Sequence, residues 1–277
     1  ELLDGRRFSR VLIDEATQAT EPAALVPLVR GARQIVLVGD HRQLPPTVIS
    51  QRAKNGGLSR SLFERLVEAG ISPQLLRIQY RMHPAISAFP NERFYNGKLE
   101  DGVEASDRIT PAGLLWPDWE CPIAFLPIGG GEVRSPDGTS KENPTEASWV
   151  AQLLEGLMDG GELGQDDIGI ITPYAGQVRA IRDSVPARYD GVEVRTVDGY
   201  QGREKEVILF SCVRSNNRGN VGFLSDSRRL NVALTRARRG LIVIGDPETL
   251  RCDEDWAAWL EHVRSRNLEA WHLLGMA

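Results

Sequence analysis

Short apolar runs recur along this chain, and most of them stop abruptly at a turn of acidic, hydroxyl or glycine residues. Val11–Ile13 ends at Asp14-Glu15, Ile35–Val38 at Gly39-Asp40, and Ile168–Ile171 at Thr172-Pro173. Val192–Thr196 ends at Asp198-Gly199, Leu241–Ile244 at Gly245-Asp246, and Val207–Val213 is a further run of the same kind. Runs that are apolar throughout, rather than alternating, belong to strands buried on both faces, which is the condition of a parallel sheet covered by helices. Helical spacing is found at Ser61–Ala69, Pro144–Met158, Ala175–Ser184, Arg228–Ala237 and Asp253–Arg266. The expected fold class is therefore α/β, a parallel sheet flanked by helices. In such sheets the loops at strand ends bind ligands, so the polar stops become the candidate sites.

The spacing also divides the chain. A break near residues 70–76 separates the first two strands from the others. Two strands cannot form a stable parallel domain, so residues 1–72 are expected to be the tail of one domain and residues 73–270 a second. The stretch 129–143, rich in Gly, Ser, Pro and charge, reads as an exposed loop.

Composition narrows the class without deciding it. With 277 residues, 41% of them hydrophobic and 26% charged, the chain can bury a globular core. Cys121, Cys212 and Cys252 are far apart and form no C-x-x-C pair. That argues against a disulfide framework or zinc site and for a reducing compartment inside the cell, nucleus or cytosol. No segment reads as membrane-spanning or as a signal peptide. A net charge of −5 does not advertise nucleic-acid binding, but Arg228, Arg229, Arg236, Arg238 and Arg239 cluster locally.

The acidic stop at Asp14-Glu15 suits metal-assisted hydrolysis of a nucleotide. The first acid would hold Mg²⁺ and the second would orient and deprotonate water; the plain alternative is a strand ending in a solvated acidic turn. Downstream, Gln43 in Gly39-Asp40-His41-Arg42-Gln43 offers a neutral group to sense a γ-phosphate or position water. A proline-terminated surface loop is the alternative there. In Gln79-Tyr80-Arg81-Met82-His83-Pro84, Tyr80 can stack on a base and Arg81 can grip phosphate oxygens, whereas Met82 and His83 read as structural. Around Thr196–Glu206, Thr196 and nearby amides can hold a nucleic-acid phosphate and Glu204 can accept from ribose hydroxyls; a turn with a solvated charged face is equally compatible. In the expected helix Arg228–Ala237, Leu230, Ala233, Leu234 and Ala237 form an apolar stripe. Arg236, one residue off it, would project from the domain edge toward a phosphate, unless the arginines are simply a basic helix end.

Taken in order, DEATQ, GDHRQLPP, QYRMHP, ITPYAGQ, TVDGYQGREKEV and LNVALTRAR resemble the motifs of the up-frameshift-type helicases of superfamily 1, the group that includes the nonsense-mediated-decay helicase and senataxin. The resemblance runs from about Val11 to Asp246. It implies a RecA-like P-loop NTPase fold and an ATP-dependent motor moving 5′ to 3′ on single-stranded RNA or DNA. By that resemblance Asp14 binds Mg²⁺, Glu15 is the general base and Gln43 contacts the γ-phosphate. Tyr80 stacks on adenine, Arg81 reaches the γ-phosphate, Glu204 binds the ribose and Arg236 is the arginine finger. Thr172, Pro173 and Tyr174, with Thr196, lie along the strand.

The sequence departs from the family's pattern in one respect: G-x-x-x-x-G-K-[ST] does not occur in it, and Gly97-Lys98 is followed by Leu99. The loop that cradles the β- and γ-phosphates is therefore expected in an upstream part of the first RecA-like domain. A degenerate, non-hydrolysing nucleic-acid-binding or scaffold module is the alternative. Retention of Glu15, Gln43, Arg81 and Arg236 speaks against it.

Overall fold

The computed structural model describes residues 5–276, and the chain forms two compact units, Glu1–Leu76 and Arg77–Ala277. In the first unit β1 (Arg10–Ile13), α1 (Glu21–Leu28), β2 (Gln34–Leu37), α2 (Gln51–Asn55) and α3 (Leu62–Glu68) follow one another. The strands pair in parallel, Val11 beside Ile35 and Ile13 beside Leu37. Ser50 and Ser61 cap α2 and α3 by accepting from the amides of Ala53 and Glu64. Arg65 of α3 donates two bonds from Nε and NH2 to the Glu21 carboxylate at 2.8 and 2.6 Å, which fastens α3 to the start of α1. The pair of strands leaves apolar side chains in the open, with Leu12 65% and Val36 53% exposed.

The second unit contains β3 (Ile78–Gln79), α4 (Pro84–Tyr95), β4 (Glu100–Asp101), β5 (Ile123–Pro127), β6 (Val133–Arg134), β7 (Lys141–Glu142), α5 (Pro144–Asp159), β8 (Ile168–Thr172) and α6 (Ala175–Ser184). After them come β9 (Glu193–Thr196), β10 (Lys205–Ser211), α7 (Ser227–Leu234), β11 (Ala237–Gly245), α8 (Pro247–Leu250) and α9 (Glu254–Ser265). The main sheet runs β5-β11-β10-β8-β9, and every pairing in it is parallel. Because side chains alternate between faces, Leu126, Ile170, Leu209 and Ile242 pack with Val150, Leu154 and Leu157 of α5. On the opposite face Phe125 meets Trp259 edge-on at 5.3 Å and Phe210 lies 6.0 Å from Trp256, both tryptophans on α9. Helices thus cover both faces, the RecA-like α/β architecture that the apolar runs and the resemblance lead one to expect.

Two local expectations need correction, and one strand of the main sheet was not expected at all. The helix expected over Arg228–Ala237 ends at Leu234, and Ala237 already belongs to β11. The Thr235 hydroxyl donates to the Asn231 carbonyl at 2.7 Å, and the strand then pairs Ala237 with Lys205, which draws the chain out of the helix. The stretch 129–143 is mostly exposed, as expected, but it is not all loop: Val133 and Arg134 pair antiparallel with Glu142 and Lys141, and Ser135 and Asn143 are buried. The unexpected strand is β5, fully buried, which begins just after Pro122 and ends on Pro127 and so lacks the run-and-stop pattern of the others. Proline is tolerated there because it falls at the end of an edge strand.

Candidate functional site

In the first unit, β1 delivers Asp14 and Glu15 to an exposed turn. Glu15 has φ +50°, a left-handed conformation that costs a non-glycine residue on the order of 1–3 kcal/mol. Local bonds hold it there. The Glu15 amide donates to Asp14 Oδ1 at 2.9 Å, Gln18 Nε2 donates to Glu15 Oε2 at 2.6 Å, and the Ala16 amide donates to the Val38 carbonyl at 2.7 Å. The last bond fastens the acidic turn to the end of β2. Gly39 permits that approach, since a Cβ there would lie 3.0 Å from both the amide and the hydroxyl of Thr17. Asp40 then fixes Gln43, whose Nε2 donates to Asp40 Oδ2 at 3.0 Å. Asp14 keeps one carboxylate oxygen off the Glu15 amide. Mg²⁺ ordinarily takes one or two protein carboxylates and completes its shell with water and phosphate, so this donor set fits such an ion. Among the described residues no group of three His, Cys, Asp or Glu could hold a metal by itself.

In the second unit, the edge of the sheet where β10 and β11 begin collects Tyr80, Arg81, Glu204 and Arg236. Arg81 Nε donates to Glu204 Oε2 at 2.5 Å and its NH1 to the Thr235 carbonyl at 3.0 Å. Arg108 holds the backbone beneath by donating to the carbonyls of Tyr80 and Arg81. Burial opposes ionisation of Glu204, but its bond to Arg81 and the charges of Arg81, Arg238 and Arg236 outweigh it and keep the carboxyl below its usual range. Tyr80 stands 63% exposed, available for stacking. Arg236 lies differently from the expectation of a projecting guanidinium: it is 2% exposed. Its Nε donates to the Val232 carbonyl at 2.9 Å, its NH2 to the Thr235 hydroxyl at 2.8 Å and its NH1 to the Arg203 carbonyl at 3.4 Å. Arg238 pairs with Glu206 at 2.9 Å, and Arg239 pairs with Glu162. His83 caps α4, its Nδ1 accepting from the Ala85 amide at 3.0 Å, and Met82 is buried; both are structural, as their sequence setting suggests.

At the opposite edge, where β8 and β9 end, Thr172 and Thr196 are neighbours in register. Thr172 is wholly buried and its carbonyl accepts from the Val197 amide at 3.0 Å. Thr196 Oγ1 accepts from the Gly199 amide at 3.2 Å, and Pro173 is half-buried. Tyr174 turns inward, its hydroxyl accepting from Arg214 NH1 and from the Phe223 amide, both at 3.2 Å. Of these four, only Pro173 and Thr196 present side chains to the surface.

Beneath that edge lies a polar network that sequence reasoning missed. Glu146, in the first turn of α5, is wholly buried; it accepts from Ser211 Oγ at 2.6 Å and from the Val213 amide at 2.8 Å. Val213 has φ +72°, an outlier for a β-branched residue, so the Glu146 bond restrains a strained turn at the end of β10. Burial pushes the Glu146 carboxyl up to about 8. Gln177 of α6 bonds both the amide and the carbonyl of Asn143, and also Ser211 Oγ. Higher up, Arg214 donates to Glu132 at 2.6 Å and so clamps the β6–β7 hairpin to the loop after β10. The one available signal was the glutamine within the ITPYAGQ motif.

Residues 58–248 match the profile of a family described as "AAA domain", and residues 1–51 match a second family with the same description. A Drosophila melanogaster protein named regulator of nonsense transcripts 1 homolog is 46% identical over 276 residues, covering 96% of this chain and 23% of that protein. Its Arabidopsis thaliana counterpart is 48% identical, covering 95% of this chain and 22% of its own length. The Saccharomyces cerevisiae ATP-dependent helicase NAM7 is 43% identical, with coverages of 94% and 28%. The chain spans about a quarter of the length of these relatives.

Proposed function

The chain belongs to the AAA-domain family of up-frameshift-type superfamily 1 helicases, and on that premise we propose that it is part of an ATP-dependent, Mg²⁺-requiring motor moving 5′ to 3′ along single-stranded RNA or DNA. Residues 1–72 contribute the end of the first RecA-like domain and residues 73–270 the second. An upstream part of the first domain completes it. The exposed Leu12, Ile35 and Val36 on a two-stranded sheet support that reading, since such strands need neighbours to bury them. The protein works inside the cell, in nucleus or cytosol.

The observation that carries the proposal is the separation of two sets of groups on one sheet. Arg81, Glu204 and Arg236 gather where β10 and β11 begin, while Thr172 and Thr196 share register where β8 and β9 end. Bound ATP supplies the phosphoanhydride bond whose cleavage drives movement. Asp14 would hold the metal, Glu15 would take the proton of the attacking water and Gln43 would position that water beside the γ-phosphate. Tyr80 stacks on adenine and Glu204 accepts from the ribose, which frees Arg81 from its ion pair to meet phosphate. Arg236 neutralises charge in the transition state and must first leave the Val232 carbonyl and the Thr235 hydroxyl to do so. Thr172, Pro173, Tyr174 and Thr196 shape the track for the strand, Thr172 and Tyr174 through the backbone they hold.

The test uses the chain joined to a phosphate-binding loop of the family. Glu15→Gln keeps the shape but cannot accept a proton, so turnover should fall by about 10²–10⁴-fold while ATP still binds. Retention of more than about a tenth of the rate, against that same range, contradicts the assignment.

A further inference from the structure

We propose that Phe223 is a nucleobase platform, a ring on which one base of the single strand stacks while Arg134 meets a neighbouring phosphate. The inference rests on the reading of this edge of the sheet as the strand-binding surface and adds the group that contacts a base.

Phe223 lies in the short turn Gly222–Ser225 between β10 and α7 and is 55% exposed, although it is a large apolar ring. It is not a loose side chain. Its ring sits on that of Tyr174, with centroids 5.2 Å apart, and its amide is bonded to the Tyr174 hydroxyl. Tyr174 is in turn fixed by Arg214, and Arg214 by Glu132. Gly222 makes this seat possible. Its φ is +58°, and a Cβ there would fall 1.9 Å from an Arg214 guanidinium nitrogen and 2.5 Å from the Tyr174 hydroxyl oxygen. An exposed aromatic held this firmly loses little conformational entropy when a flat ligand settles on it.

The surroundings suit a polyanion carrying flat rings. A cavity of about 620 Å³ opens beside Phe223 and Tyr174, walled on its far side by Arg134, Thr139 and Lys141 of the β6–β7 hairpin. The guanidinium of Arg229 stands over the Phe223 ring, 5.3 Å from its centre and held there by Asp198 and Asp226, while Phe223 still lines the cavity. The acids nearby are already matched: Glu132 with Arg214 and Lys141, Asp198 and Asp226 with Arg229. Arg134 is exposed and has no ion pair among the described residues, so it is available to phosphate. A single ring among cations favours a nucleotide over an apolar protein segment, which would call for a continuous apolar patch. Stacking on a π-face tolerates any base, as a motor that passes along all sequences requires.

The experiment measures fluorescence anisotropy of the 277-residue chain with a labelled uridine oligomer and with an abasic sugar-phosphate oligomer of equal length, each at two salt concentrations. The wild type should bind the base-bearing oligomer more tightly. Phe223→Ala should weaken that binding by about 5- to 100-fold, the range for loss of one stacked base, and leave abasic binding unchanged. Phe223→Trp should preserve the preference and Phe223→Leu should lose it. Arg134→Ala should weaken both ligands and flatten the salt dependence. Equal losses on both oligomers for Phe223→Ala, or no loss on either, would overturn the platform, the second result indicating that the ring serves a protein partner. Failure of the wild type to bind either oligomer would instead overturn the strand-surface reading on which the inference stands.

Discussion

The two edges of the second unit's sheet hold their polar side chains in opposite ways. Where β8, β9 and β10 end, Glu146, Gln177, Ser211 and Asn143 are buried and bonded to one another, and the surface residues above them inherit that rigidity. Where β10 and β11 begin, Arg81 and Glu204 neutralise each other at the surface, while Arg236 is turned onto backbone carbonyls. The first arrangement is preorganised and should change little when a ligand arrives. The second is an occupied set of partners that, in the proposed reading, a nucleotide would have to exchange, so it would report whether nucleotide is present.

The largest effect is expected at Arg236. In the chain joined to a phosphate-binding loop, Arg236→Ala should slow single-turnover hydrolysis by roughly 10³–10⁵-fold with little change in nucleotide or strand affinity. Arg238→Ala and Arg239→Ala should do less, because those arginines are engaged by Glu206 and Glu162. Equal losses in all three would mean a generic basic patch and no distinct nucleotide edge.

Next in size comes the buried network. Glu146→Ala strips the partner from Ser211 and from the strained Val213 turn, and should destabilise the fold by about 2–4 kcal/mol, read by urea denaturation. A loss within about 0.5 kcal/mol, the scale of an ordinary surface substitution, would show that the network is not what stiffens this edge.

Glu146→Gln sharpens the same point through pH. Burial first of all raises the folded-state carboxyl from its ordinary 4.5 to about 8. A raised folded value contributes stability that is full below the unfolded value and is lost as pH rises through the folded one. The wild type should therefore lose thermal stability between about pH 5 and 9, and the amide variant should lose less over the same window. Parallel Tm profiles would contradict the burial-driven shift.

How much of this was legible in the sequence follows from which forces act locally. The apolar runs at Ile168–Ile171 and Val207–Val213 announced a sheet because burial on both faces leaves its mark in consecutive residues. Prolines hid the rest: Pro27 lies inside α1 and Pro90 inside α4, and β5 closes on Pro127. The motif residues could be named, and Arg81 with Glu204 are brought together across 123 positions of sequence. Orientation was not legible. An acid in the first turn of a helix, as Glu146 is, reads as a solvated favourable charge; only Ser211 and Val213, 65 and 67 residues away, make it a buried hub. Arg236 looked like a projecting group because the helix was expected to continue through Ala237. The early turn into β11 folds the guanidinium inward instead.

The most direct test of the account is to titrate labelled single-stranded RNA into the purified 277-residue chain with ATP and Mg²⁺, reading anisotropy and phosphate release from the same sample. In the proposed reading these residues hold a strand surface, a ribose contact and an arginine, and their sequence has no G-x-x-x-x-G-K-[ST] to cradle phosphates. The expected result is weak, salt-sensitive RNA binding and no strand-stimulated phosphate release. Robust strand-stimulated release that disappears with Glu15→Gln would contradict it.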